Sequence, residues 1–216
     1  MEFLDPAIEQ YVNEHTSNES EILRSLDRET HQKILQPRML SGHLQGRVLS
    51  MISHMIKPKN VLEIGTYTGY SALCFAEGLA KGGRIDTIDH NEELEPIVSR
   101  YVKEAGMEGV IHHHIGEALD IISKLDYTYD IVFIDADKEN YLNYYNIIFD
   151  KVPVGGYIIA DNVLWSGKVL NRKEVENDTD TRALVEYNKK ITADKRVENV
   201  LFPIRDGLMI ARKISK

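Results

Sequence analysis

Two stretches of the chain close on groups able to hold a cation. Asp130-Ile131-Val132-Phe133-Ile134-Asp135-Ala136-Asp137-Lys138 is an apolar run ending in acids and a lysine, and Tyr157-Ile158-Ile159-Ala160-Asp161-Asn162 is another ending in an acid and an amide. If these runs are neighbouring strands, Asp135, Asp161 and Asn162 converge at one edge as three hard oxygen ligands. Such a set suits Mg²⁺, which is held by few protein oxygens and keeps its other octahedral positions for water or substrate. Acids that simply terminate strands at a solvated edge are the alternative. A third stretch, Val61-Leu62-Glu63-Ile64-Gly65-Thr66-Tyr67-Thr68-Gly69-Tyr70-Ser71, passes from an apolar run through a glycine-containing turn into a helix. Glycines admit close backbone approach to a ligand and the helix start offers free N–H groups, although a tight turn without a ligand has the same look. Asp89 closes the next run roughly 20 residues beyond the glycines, where an acid reaches a ribose diol. NAD and S-adenosylmethionine sites both use such an acid. A dinucleotide loop needs a G-x-G-x-x-G series to admit a pyrophosphate; here Tyr67 stands two positions after Gly65, and Glu63 precedes the turn, where an acid suits a cationic or amine-bearing ligand. The loop favours S-adenosylmethionine.

These groups need strands that end together. From Asn60 onward short apolar runs alternate with helical stretches, the texture of an α/β fold whose parallel sheet is covered on both faces. Strands are expected at Val61 to Ile64, Arg84 to Ile88, Val110 to Ile115, Tyr129 to Ile134 and Gly156 to Ala160, and helices near 70–81, 92–105, 117–124 and 139–151. Lys81-Gly82-Gly83 and Ala105-Gly106 read as helix stops. Residues 162–178 are polar, carry the only tryptophan and lack periodicity, which predicts a functional loop or lid. A helix over 179–193 follows, then strands Val197 to Pro203 and Leu208 to Ile214 joined through Arg205-Asp206-Gly207, an antiparallel hairpin signal. Ahead of the sheet, Asp5-Pro6, Ser20 to Leu35 and Ser41 to Ile56 read as helices, with Ser41 an expected N-cap.

The 216 residues make one domain, with residues 1–40 as a helical extension. A net charge of −8 argues against broad phosphate-backbone contact, so nucleic acid is not an expected partner. The single cysteine, Cys74, excludes an internal disulfide framework and multi-cysteine zinc. The sequence has no apolar run of spanning length, and Met1-Glu2-Phe3-Leu4-Asp5-Pro6 lacks leader character; a cytoplasmic protein without a membrane partner is expected.

Glu63 to Ser71, Asp135-Ala136-Asp137-Lys138 with Tyr141, Asp161-Asn162-Val163-Leu164-Trp165-Ser166-Gly167 and Arg205-Asp206-Gly207-Leu208 together resemble the cation-dependent O-methyltransferases, the group containing the caffeoyl-CoA and catechol O-methyltransferases. The resemblance runs from about Leu35 to Ile214 with the motifs in the family's order. It implies the Rossmann-like class I methyltransferase fold, a sheet of about seven mostly parallel strands with the last antiparallel. It implies cofactor contacts from Met39, Leu40, Glu63, Gly65, Tyr67, Ser71, Asp89, His90, Gly116, Glu117, Ala118 and Asp135. It implies a divalent cation (Mg²⁺, or Ca²⁺ or Mn²⁺) on Asp135, Asp161 and Asn162. Lys138 matches the family's base, acting with Asp135, and Lys138, Trp165 and Asp206 fall at the acceptor, with 162–178 as lid. Similar members use the N-terminal helices for dimer and acceptor contacts, so a homodimer is expected.

The implied reaction is methyl transfer to one hydroxyl of a phenolic acceptor, a vicinal diphenol. A nicotinamide-dependent oxidoreductase and a non-catalytic S-adenosylmethionine-binding protein are the competing classes. On a strand, His112 and His114 share a face while His113 does not, so a triple-histidine metal site is not expected. Cys74 reads as a small buried hydrophobe, and Lys168, Arg172 and Lys173 as solvated loop charges.

Overall fold

In the computed structural model, which describes residues 5–216, the strands form one seven-stranded sheet in the order β3-β2-β1-β4-β5-β7-β6. The leader reading at residues 1–4 lies outside the described residues. The strands are β1 Asn60–Ile64, β2 Arg84–Asp89, β3 Ile111–Ile115, β4 Ile131–Ile134, β5 Tyr157–Ala160, β6 Val197–Phe202 and β7 Leu208–Lys213. Pairing is parallel for β1 with β2, β2 with β3 and β4 with β5, and antiparallel for β5 with β7 and β6 with β7. The aliphatic and Phe side chains of β1, β4 and β5 are buried, as strands covered on both faces require, whereas β6 at the sheet edge is largely exposed.

Two compact units make up the chain, one ending at Ala118 and the other spanning Leu119–Lys216. The first holds α1 Pro6–Glu14, α2 Glu21–Lys33, α3 Gly42–Ile56, α4 Tyr70–Ala76 and α5 Glu95–Glu104 with β1 to β3. Asp5 and Ser20 cap α1 and α2 through their side chains, while Ser41 stands before α3 without a capping hydrogen bond from its side chain. Helix α4 stops at Ala76, well short of residue 81, because Gly78 lies against α3: a Cβ there would fall 2.2 Å from the His54 amide nitrogen. On β2, Asp86 is fully buried in ion pairs with Arg84 (2.6 Å) and His114 (2.7 Å).

The second unit holds α6 Ala118–Lys124 almost entirely, α7 Tyr141–Phe149, α8 Arg172–Asn177 and α9 Thr179–Ala193 with β4 to β7. Residues 162–178, expected as loop, instead carry a kinked 3₁₀ stretch, Trp165–Leu170, and the short helix α8. Neither is long enough to display a period. Asn171 caps α8 and Arg172 pairs with Glu176 at 2.8 Å, so local polar bonds hold this segment where an apolar face is lacking. The β6–β7 connection spans 203–207, longer than a two-residue turn, since Pro203 has no N–H for the ladder. Among the described residues no helix is long and apolar enough to cross a membrane.

Candidate active site

The residues expected at the cofactor, Asp135 aside, fall in the first unit: those from Glu63 to Ser71, Asp89-His90 and Gly116 to Ala118 at or just beyond the carboxyl ends of β1 to β3, and Met39 and Leu40 in the segment ahead of α3. Gly65 (φ 103°), Tyr67 (φ 48°) and Gly69 (φ 86°) all take left-handed backbone, which coils the turn tightly enough to bring Tyr67 back over the end of β2. There the Asp89 carboxylate accepts the backbone N–H groups of Tyr67 (2.7 Å) and Asn91 (2.9 Å). Gly65 and Thr66 donate their N–H groups to the Ile88 carbonyl, and Gly116 donates to that of Asp89 (2.9 Å). Tyr67 Oη shares its proton between the carbonyls of Leu35 (3.0 Å) and Gln36 (3.2 Å), tying the turn to the segment that leads into Met39 and Leu40. Burial raises the Tyr67 phenol above its ordinary pKa. Glu63 is fully buried and accepts a hydrogen bond from Thr87 Oγ1, which also meets Thr66 Oγ1 at 2.6 Å. Leu40 and Ser71 are buried, while Met39, His90 and Glu117 are exposed; Ala118 is half-buried. The structure therefore brings Tyr67, Asp89 and Gly116 together through backbone bonds.

The second cluster lies at the ends of β4 and β5. Their register pairs Ile134 with Ala160, so Asp135 and Asp161 are the next residues on adjacent parallel strands. Lys138 is 7% exposed, and its Nζ donates to Asp135 Oδ1 (3.2 Å), Asn162 Oδ1 (2.7 Å) and Tyr141 Oη (2.7 Å). Tyr141 Oη in turn donates to the Asp161 carbonyl at 3.0 Å, and burial pushes its pKa well above the ordinary value. Asp161 is 3% exposed and accepts the Asn162 N–H at 2.7 Å. Asn162 has φ 59°, a left-handed conformation that asparagine tolerates better than most residues. The Lys138 ammonium lies 5.6 Å from the centre of the Trp165 ring. Asp206 does not stand apart: its carboxylate accepts the backbone N–H of Ser166. The oxygens of Asp135 and Asn162 already bond a positive charge, so this carboxylate and amide suit a hard divalent cation, with Asp161, next to Asp135 in register, available as a third oxygen donor.

Outside these clusters, His114 bonds Asp86 on one face of the sheet while His113 pairs in register with Thr87 on the other. Among the described residues no three His, Cys, Asp or Glu side chains are grouped to hold a metal; the oxygen set above includes an amide. Cys74 is fully buried, and burial raises its thiol well above the ordinary range. Two contributors carry little signal in the sequence. Tyr141 stands there only as part of a motif, although a tyrosine three residues after a lysine at a helix start meets it across one turn. Asn188 gives no signal at all; its amide on α9 donates to the Val163 carbonyl at 2.8 Å.

A mixed sheet of this order, with a glycine turn after β1 and an acid closing β2, together with the matches that follow, makes the protein a class I, S-adenosylmethionine-dependent methyltransferase. The family model described as O-methyltransferase matches residues 13–214. The chain belongs to the O-methyltransferase family. It is 36% identical to a caffeoyl-CoA O-methyltransferase of Medicago sativa over 96% of this chain and 89% of the relative. It is 39% identical to caffeoyl-CoA O-methyltransferase 2 of Petunia hybrida over 79% and 75% of the two chains. Among solved structures, an O-methyltransferase from Bacillus cereus in complex with SAH superposes with a TM-score of 0.87 at 27% identity, covering 96% of this chain and 97% of that one. An SAH-bound methyltransferase of Podospora anserina gives 0.88 at 25% identity over 96% and 94%.

Proposed function

We propose that the protein transfers the methyl group of S-adenosylmethionine to one hydroxyl of a vicinal diphenol, using a divalent cation held by Asp135, Asp161 and Asn162. The observation that carries this reading is the juxtaposition at the β4 and β5 ends, where the oxygens of Asp135 and Asn162 converge on a buried positive charge. A phenol ionises near pH 10, so at neutral pH its proton must be drawn off for the oxygen to attack. The cation, when bound, lowers the pKa of a hydroxyl it coordinates and holds two neighbouring hydroxyls in one orientation. Lys138 Nζ, held by Tyr141 Oη, accepts the phenol proton as a neutral amine, having first released one of its own protons to solvent once a cation takes over its oxygen partners Asp135 and Asn162. Trp165 covers the acceptor ring. Asp89 takes the ribose diol, with Glu63, Gly65, Tyr67 and Ser71 around the methionine half, Gly116 to Ala118 beside the adenine and Met39-Leu40 across the cofactor. The relatives named for caffeoyl-CoA make a caffeoyl thioester one acceptor to try.

The same reading takes residues 1–40 as the part that contacts acceptor and partner in a cytoplasmic homodimer. Helix α1 buries none of its side chains and exposes Ile8 and Tyr11, an apolar pair one turn apart. Formation of SAH is measured with catechols, single phenols and caffeoyl thioesters, each with Mg²⁺ and with EDTA. Turnover restricted to vicinal diphenols and lost in EDTA is expected. Turnover that survives EDTA refutes the cation, and equal turnover of single phenols refutes the acceptor class.

A further inference from the structure

The geometry points to Asp206 as a positioning residue that acts on the acceptor through Trp165 without touching it; this rests on the acceptor role proposed for Trp165. Trp165 (φ 46°), Ser166 (φ 52°) and Gly167 (φ 78°) are three successive left-handed residues, and only the glycine takes that conformation freely. Backbone of this kind persists only where its surroundings over-determine it. The β6–β7 connection supplies that constraint. The Asp206 carboxylate accepts the Ser166 N–H, the Asp206 carbonyl accepts the Leu164 N–H (2.9 Å) and the Gly207 carbonyl accepts the Val163 N–H (3.2 Å). Gly207 is packed so closely that a Cβ on it would lie 2.5 Å from Leu164 Cγ. From α9, Asn188 Nδ2 holds the Val163 carbonyl. The turn thus grips the segment that begins at Asp161-Asn162 and ends at Trp165.

Of these bonds only the one to Ser166 uses a side chain of the turn, and it fixes the residue directly after the indole. The other bonds from the turn stop at Leu164, and beyond it Trp165 N–H (to the Asn162 carbonyl, 3.0 Å) and Gly167 N–H (to the Leu164 carbonyl, 2.9 Å) bond only within the segment itself. Loss of the Asp206 carboxylate therefore removes the outside contact that holds Ser166 left-handed and loosens the indole beside Lys138. Trp165 is the only tryptophan in the chain, so emission excited at the red edge, beyond tyrosine absorption, reports this one side chain.

The test uses Asp206→Ala, Asp206→Asn and Asp206→Glu in the full chain. An asparagine keeps an acceptor oxygen at the same reach, while a glutamate keeps the charge but moves the oxygens by one methylene. Asp206→Ala and Asp206→Glu are expected to shift Trp165 emission to the red and increase its quenching by acrylamide, because the indole meets more water. Both should raise the KM for a catechol by about 10-fold or more, with kcat and S-adenosylmethionine affinity changed less. Asp206→Asn should restore emission and KM most of the way. Native emission in Asp206→Ala overturns the proposal, as does an Asp206→Asn variant as impaired as the alanine, which would mean that the charge itself meets the acceptor. If the alanine variant does not fold, the opposite behaviour of the asparagine and glutamate variants decides. If the wild type methylates no vicinal diphenol, the acceptor assignment fails while the emission measurements still judge Asp206.

Discussion

The two units both place their candidate groups at the carboxyl ends of parallel strands, yet they build them from different materials. In the unit ending at Ala118, Asp89 is held by two main-chain N–H groups and the turn around it is shaped by left-handed backbone at Gly65, Tyr67 and Gly69. In the unit spanning Leu119–Lys216, side chains make the site, as buried Lys138 bonds buried Tyr141 and the half-buried Asp135 and Asn162. Main-chain donors survive any substitution short of proline. A buried lysine charge tolerates loss of a partner poorly, because the charge is then left without its compensation. Substitutions in the second unit are therefore expected to act on turnover in large steps, and those in the first to act on cofactor affinity in graded ones.

The largest step belongs to Lys138→Ala, for which kcat at pH 7 should fall about 10²- to 10⁴-fold, the usual contribution of a positioned general base. The defect should shrink as pH rises toward the ionisation of the phenol; a defect independent of pH would make Lys138 a structural cation only. Asp161→Ala should lower Mg²⁺-dependent turnover by more than the roughly 10- to 100-fold typical of residues one shell removed from a metal. Its S-adenosylmethionine affinity should stay within error by calorimetry, and unchanged turnover would remove Asp161 from the cation site. Asp89→Ala is expected to weaken S-adenosylmethionine binding by about 10- to 100-fold, the worth of hydrogen bonds to a charged group, while kcat at saturating cofactor changes little. A collapse of kcat comparable to that of Lys138→Ala would break the contrast between the units.

The same contrast explains which features are legible in the sequence. Buried apolar runs are long-range in origin but local in appearance, so β1, β4 and β5 stand out from residue order alone, and the closing antiparallel pair stands out by its Asp206-Gly207 turn. The glycine turn and the strand-end acids are likewise local. Features that depend on contacts between segments distant in sequence leave no such trace. The stop of α4 is set by Gly78 meeting the α3 backbone, not by Gly82 or Gly83. The left-handed bend around Val163 to Ser166 owes its shape to Asp206 and Asn188, 40 residues and 25 residues away from the groups they bind. The place of Tyr141 in the Lys138 cluster needs the β5 end to arrive beside it, since its hydroxyl donates to Asp161.

The smallest expected effect separates scaffold from site along a single strand. Asp86 and Asp89 are both on β2, but Asp86 is buried between Arg84 and His114 while Asp89 accepts the main-chain N–H groups of Tyr67 and Asn91. Burial alone would raise the Asp86 carboxyl; the hydrogen bonds from His114 and Arg84 outweigh it and hold the pKa at about 2. A carboxyl lower in the folded than in the unfolded chain, where it titrates near 3.9, stabilises the fold above that value and loses its contribution as pH falls toward 2. The contribution is on the order of 1 to 2 kcal/mol after allowance for screening, or about 2 to 8 °C in melting temperature for a chain of this size. Asp86→Asn should accordingly melt below the wild type at pH 7, with the gap closing between pH 4 and pH 2, and should bind S-adenosylmethionine normally. A gap that does not change with pH would mean that the aspartate is held by packing and not by its charge, and a loss of cofactor affinity would mean that scaffold and site on β2 are not separable.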